Sequence, residues 1–214
     1  MSSPVTYKEI WDNVFMQYDL EDLAWVTSNI DDQMESIISQ IPYRTDNKPI
    51  AIDIGCGIGT LSEFMASTYK VTAIDVAKKM INICNERKDR KATYFECDLL
   101  EFETTDKYDV ILSHLLFHHF KENDATIFFD KIYSLIDKNG YFLFTTIISE
   151  TNELQKMESS YYPSALTLYT VSDIITMNEN RFSIISQTYA CLQGKKQTLN
   201  AGIFLFKPIA YDNK

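Results

Sequence analysis

Three glycines at alternate positions, Gly55, Gly57 and Gly59, follow directly on the apolar run Ile50 to Ile54, and the rest of the chain is organised around them. A short apolar run reads as a buried strand, and glycines at its end break it into a tight turn. Beyond the turn Leu61, Phe64, Met65 and Thr68 recur at helical spacing, so strand, turn and helix make one βα unit. Glycine lacks a Cβ, and such a turn offers bare backbone to a ligand.

The spacing restricts what that ligand is. The dinucleotide pattern G-x-G-x-x-G/A fails when counted from Gly55, where its last position is Thr60, and when counted from Gly57, where it is Ser62. A phosphate-binding loop G-x-x-x-x-G-K-[S/T] fails too, because Thr60 stands five after Gly55 and Leu61 takes the place of the lysine. What Asp53 to Gly59 do spell, without a gap, is D-x-G-x-G-x-G. This stretch resembles motif I of the class I S-adenosylmethionine (SAM)-dependent methyltransferases.

The βα pattern then repeats. Lys70 to Ile74 reads as a second strand ending at Asp75, followed by a helix with Ala77, Met80, Ile81 and Cys84 on one face. Asp75 lies 20 positions beyond Gly55, the distance at which a strand-end carboxylate meets ribose hydroxyls, although an acid there equally caps the next helix. Ala92 to Glu96 reads as a third strand and Tyr108 to Leu112 as a fourth, closed by Ser113 and His114. The resemblance implies SAM as cofactor, with Asp53, Gly55, Cys56 and Gly57 forming its turn and Asp75 its ribose partner. It further implies Asp98 as acceptor for the adenine amino group, Leu99 as backbone partner of the ring, and Val76 as packing on the adenine face. Ser113 and His114 then close the cofactor site at the end of the fourth strand.

Either side of this core the reading is less specific. Residues 1–41 hold helices: Met34, Ile37, Ile38 and Ile41 repeat with helical spacing behind Asp31 and Asp32, and Tyr7, Trp11, Phe15 and Tyr18 do so more roughly. Those aromatics are either core or a lid that sets an aromatic face, Tyr18 included, near the sulfonium. After the fourth strand come His118 and His119, then a helix through Phe128, Ile132 and Leu135 expected to stop at Asn139-Gly140, then a fifth strand from Tyr141 to Ile148. Residues 149–170 show no clear periodicity and read as an insertion bordering an acceptor pocket. Phe182 to Ala190 and Ala201 to Pro208 read as two strands, and the ten residues Cys191 to Asn200 between them are too few for a parallel crossover. The expectation is a single domain over 1–214, a Rossmann-like α/β fold with a seven-stranded, mostly parallel sheet, an antiparallel C-terminal hairpin and N-terminal lid helices.

A net charge of −10 repels polyphosphate and argues against a nucleic-acid partner. No run approaches the 18 apolar residues of a membrane helix, so the expectation is a cytoplasmic protein without a membrane partner. Four cysteines without a C-x-x-C pair suit reduced thiols, not a zinc site. With SAM as methyl donor, catalysis is chiefly positioning of a small-molecule acceptor, at nitrogen or oxygen, and a hydroxyl acceptor adds the need for a general base. The three histidines, His114, His118 and His119, cluster after the fourth strand. His118 and His119 are therefore the candidate proton-transfer residues, with packing on the cofactor or support of the loop as the alternative. A binding protein on the same fold and an NAD-dependent oxidoreductase are the competing functions.

Overall fold

A computed structural model describes residues 6–17, 30–43, 47–158, 165–193 and 198–209. Two helices, α1 (Tyr7–Gln17) and α2 (Ile30–Gln40), precede β1 (Ile50–Ile54), α3 (Thr60–Met65), β2 (Lys70–Asp75), α4 (Lys78–Glu86) and β3 (Thr93–Glu96). Next come β4 (Tyr108–His114), α5 (Glu122–Leu135), β5 (Ile136–Ile147), a small ribbon of β6 (Gln155–Met157) and β7 (Leu166–Leu168), α6 (Val171–Asn178), β8 (Phe182–Gln193) and β9 (Thr198–Pro208). The main sheet has seven strands in the order β3-β2-β1-β4-β5-β9-β8. Its first five strands run parallel, whereas β9 is antiparallel to both β5 and β8. The strand order reverses between β1 and β4, and open α/β sheets bind ligands outside such a switch point, at the carboxyl ends of the strands.

Alternation along each strand feeds two different layers. Ala51, Val71, Ala73, Val110 and Leu112 pack with α1 to α4, and small side chains there let the helices come close. Ile52, Ile54, Ile111, Phe142, Phe144, Phe204 and Phe206 take the opposite face, against Phe128, Phe129 and Ile132 of α5. Phe117 joins this second layer, its ring 4.9 Å from Phe129 and 5.4 Å from Phe144. Fully burying each such ring is worth roughly 1.5–3 kcal/mol, which makes this aromatic layer the anchor for the loop that carries the histidines.

Four expectations need correction. The helix of the first βα unit ends at Met65, leaving Thr68 in the turn beyond it. The helix through Phe128 stops at Leu135, not Asn139-Gly140: Ile136 is already extended and pairs with Tyr108. Gly140 lies within β5 instead, where an added Cβ would come 2.8 Å from the Tyr108 carbonyl oxygen. Residues 149–170 contain the antiparallel β6–β7 ribbon, which periodicity could not show because all three residues of β7 are buried. The helix α6 went unread, although Thr170 and Asp173 form a reciprocal capping box at its start. The C-terminal pair is antiparallel as expected, but its strands extend to Gln193 and from Thr198. Tyr18, Tyr161, Tyr162 and Pro163 lie outside the described residues.

Candidate active site

The glycine turn is built by left-handed backbone at Gly55 (φ 72°), Gly57 (φ 52°) and Gly59 (φ 77°), a region costly for residues with a Cβ. Space separates the three. An added Cβ at Gly55 would lie 2.9 Å from the Leu116 side chain, and at Gly59 2.6 Å from the Tyr94 hydroxyl, whereas Gly57 has nothing within 4 Å. Open backbone is thus a property of Gly57, while the outer two glycines admit protein neighbours. The amides are already committed: Gly55 and Cys56 both donate to the Ile74 carbonyl, at 2.8 and 3.0 Å, and Gly59 donates to the Cys56 carbonyl at 2.8 Å. The Gly57 amide donates to Asp75 Oδ2 at 2.9 Å. None of these four groups is left for a phosphate.

Carboxylates end the neighbouring segments. Asp53, 2% exposed on β1, accepts a 2.5 Å bond from Ser62 Oγ. Burial pushes its carboxyl up to about 7, and the charges of Asp75 and Asp31 add to the shift that Ser62 opposes. Asp75 also accepts from the Ala77 amide at 2.8 Å, so one carboxylate ties the glycine turn to the start of α4. Burial raises its pKa as well, against the pull of those two amides. Asp98 accepts from the Leu100 amide at 2.9 Å and starts the 3-10 turn Leu99–Glu101. Together with Asp31 of α2 these three acids line one cleft, whose lining among the described residues has no lysine or arginine. Tyr7, Trp11 and Phe15 of α1 complete the cleft on another side.

The end of β4 is held by β5. Thr145 accepts the Leu115 amide on its hydroxyl oxygen at 2.9 Å, and the same hydroxyl lies 2.9 Å from His114 Nδ1. Leu115 takes a left-handed φ of 51°, which its bond to Thr145 supports. His114 Nε2 lies 3.4 Å from Asp31 Oδ1. His118 and His119 sit in the 3-10 turn Phe117–His119. His119 lines the cleft, with its ring edge-on to Trp11 at 4.8 Å, while His118 is absent from the lining. Burial drives the His118 pKa down to about 3 and that of His119 well below the ordinary imidazole range, each helped by a neighbouring histidine.

A family model described as a methyltransferase domain matches residues 51–140, the segment that carries the glycine turn and all three strand-end acids. Among curated relatives, a malonyl-[acyl-carrier protein] O-methyltransferase of Acetivibrio thermocellus is 30% identical over 115 residues, covering 52% of this chain and 40% of the relative. A ribosomal protein L11 methyltransferase of Staphylococcus saprophyticus is 24% identical over 153 residues, covering 68% of this chain and 42% of that one. The chain therefore spans about 40% of the length of these relatives. A solved 1,6-didemethyltoxoflavin-N1-methyltransferase of Burkholderia thailandensis, with S-adenosylhomocysteine bound, superposes with a TM-score of 0.72 at 14% identity, covering 98% of this chain and 94% of its own. The N-methyltransferase NodS of Bradyrhizobium japonicum does so with 0.71 at 13% identity, covering 94% and 99%. Residues 51–140 thus carry a match to a methyltransferase domain, and the chain as a whole has the fold of the SAM-dependent methyltransferases.

The cleft fits SAM: strand-end carboxylates suit ribose hydroxyls and an adenine amine, and an acidic lining suits a sulfonium. The structure brings together Asp53, Gly55, Cys56, Gly57, Asp75, Val76, Asp98, Leu99 and His114 at that cleft, with His119. Two expected residues are not among them. Ser113 is fully buried within β4, paired to Ile54 and Phe144, because alternation turns it into the sheet. His118 stands behind the cleft beside Thr146, with the Ile147 amide 3.5 Å from its Nδ1, and its burial opposes the charge a proton-transfer role needs. Asp31 and Thr145 were not read as site residues. Asp31 looked like an ordinary first-turn acid, and Thr145 like one more strand residue.

Proposed function

We propose that this protein moves a methyl group from SAM to a nitrogen or oxygen of a small-molecule acceptor. One observation carries the reading: acids at the ends of successive segments line a cleft with no lysine or arginine among the described residues, beside a turn whose amides are spent. That lining favours a cation and a diol over a pyrophosphate, which weighs against the nicotinamide alternative.

When bound, SAM supplies a methyl group on a positively charged sulfur, already activated for in-line displacement. The chain's part is placement. Asp75 holds the ribose edge, Asp98 and Leu99 the adenine, and Val76 the ring face, while Asp53 and the open backbone at Gly57 flank the methionine portion. The acceptor enters at the β4 end, between His114, Leu115 and His119 and under α1, which acts as lid. Polar contacts moor α1: Tyr7 donates to Asp124 at 2.7 Å and accepts from the Lys121 amide at 3.0 Å, Lys79 donates to the Phe15 carbonyl at 3.0 Å, and Lys8 pairs with Glu96. The β6–β7 ribbon borders the same end, since β7 packs on the turn that carries the histidines. His119, neutral and against Trp11, shapes this pocket.

Two measurements test the proposal. Isothermal titration is expected to show S-adenosylhomocysteine binding, and labelled SAM incubated with a metabolite extract is expected to transfer its methyl. Absence of cofactor binding would refute the site, and binding without transfer would leave a binding protein on this fold.

A further inference from the structure

We infer that the acceptor carries a basic amine, gripped by Asp31 at the β4 end of the cleft. This rests on the reading above, in which the cofactor occupies the acids after β1, β2 and β3. Following the sheet order β3-β2-β1-β4, that assignment uses Asp98, Asp75 and Asp53 in turn. Among the described residues Asp31 is the lining carboxylate it leaves over, and its tie to His114, the last residue of β4, places it at the opposite end from the adenine.

The geometry around His114 holds Asp31 in place at the cleft: the Thr145 hydroxyl lies 2.9 Å from His114 Nδ1, and His114 Nε2 lies 3.4 Å from Asp31 Oδ1, so the ring orients the carboxylate. The Asp31 side chain is 37% exposed, so it is open both to a ligand and to water. Trp11, Phe15 and Tyr7 line the same cleft, aromatic partners for an alkylammonium. Among the described residues, an acceptor bearing a carboxylate or phosphate would meet four acids and no lysine or arginine there. Before the transfer the bound ammonium gives one proton to the water that reaches Asp31. The freed lone pair on nitrogen then forms the N–C bond as the S–C bond breaks with its electron pair going to sulfur, and the product leaves as the methylated ammonium. Asp31 is thus the specificity residue and His114 its positioning residue.

Calorimetric titration of the protein saturated with S-adenosylhomocysteine tests this, with 2-phenylethylamine and tryptamine as amine probes and 2-phenylethanol and 3-phenylpropionate as neutral and anionic isosteres. The amines are expected to bind at least tenfold tighter than the alcohol, and the acid more weakly still. Asp31→Asn is expected to remove at least tenfold of the amine affinity while changing that for S-adenosylhomocysteine less than twofold, which also shows that the variant is folded. His114→Gln is expected to cut amine affinity by a smaller factor. No preference for amines, or amine binding indifferent to Asp31→Asn, would overturn the inference and leave the cofactor site standing. Loss of S-adenosylhomocysteine affinity in Asp31→Asn would overturn it too, by placing Asp31 on the cofactor's own ammonium. Failure of the wild-type protein to bind S-adenosylhomocysteine would instead remove the reading beneath it, and this inference with it.

Discussion

The two ends of the cleft are built in opposite ways. At the end proposed for the adenosyl group, the bonds of the acids are local or span one βα unit: Asp75 to Gly57 and Ala77, Asp53 to Ser62, Asp98 to Leu100. At the end proposed for the acceptor, bonds bridge distant segments, Asp31 to His114 and Tyr7 to Asp124. A local constellation is specified by short spacing, so it is rigid and readable as a motif. A long-range one exists only once the sheet has placed β4, β5, α1 and α2 together, and it is free to vary with the substrate.

The sharpest way to break this comparison lies in the turn itself. Gly59→Ala combines left-handed backbone with a Cβ 2.6 Å from the Tyr94 hydroxyl and 3.0 Å from Cys84 Sγ. The expected loss of stability is about 2–4 kcal/mol by chemical denaturation, against about 1–2 kcal/mol for Gly57→Ala, which meets no neighbour. Equal losses would mean that packing does not distinguish the two glycines. Next in size, Asp75→Ala strips the turn and α4 of their shared acceptor and is expected to weaken S-adenosylhomocysteine binding by about 1–3 kcal/mol in calorimetry. Unchanged affinity would detach the ribose from β2.

Beneath the acceptor end, pH gives a smaller and signed effect. His118, with a folded value of about 3 against an ordinary 6.5, stabilises fully above pH 6.5, and that contribution is lost as pH falls toward 3. Asp53, raised to about 7, acts oppositely: its contribution is present below its ordinary value and lost as pH rises through 7. Denaturant midpoints of His118→Gln between pH 7 and 5 are expected to fall with acidification less steeply than those of the parent, by up to about 1.4 kcal/mol per pH unit. An unaltered slope would show that His118 already carries charge. Smallest, Thr145→Val removes the hydroxyl under Leu115 and His114 and is expected to cost about 0.5–1.5 kcal/mol by thermal or chemical unfolding. A neutral result would place the support of the β4 end elsewhere.

The same contrast explains what the sequence disclosed. Asp53 to Gly59 and Asp75 were legible as one constellation because they stand at the ends of the apolar strands β1 and β2, and their partners, like that of Asp98, lie within a few residues or one βα unit. The antiparallel C-terminal pair was legible from loop length alone. Asp31 was not, since a first-turn acid on a helix is commonplace and its meaning comes from His114, far along the chain. His118 and His119 look alike in sequence, yet a 3-10 turn sends one to the cleft and the other behind it. The β6–β7 ribbon and Gly140 escaped because burial on all sides, or a clash with a distant carbonyl, leaves no periodic trace.

Asp53 has one more consequence. In the site proposed above, a carboxyl raised to about 7 is expected to give up its hydrogen ion as the sulfonium arrives, so that site would exchange one positive charge for another. The heat of SAM binding at pH 7 will then include the ionisation heat of whichever buffer takes up the ion, and S-adenosylhomocysteine, lacking the sulfonium, will show less of it.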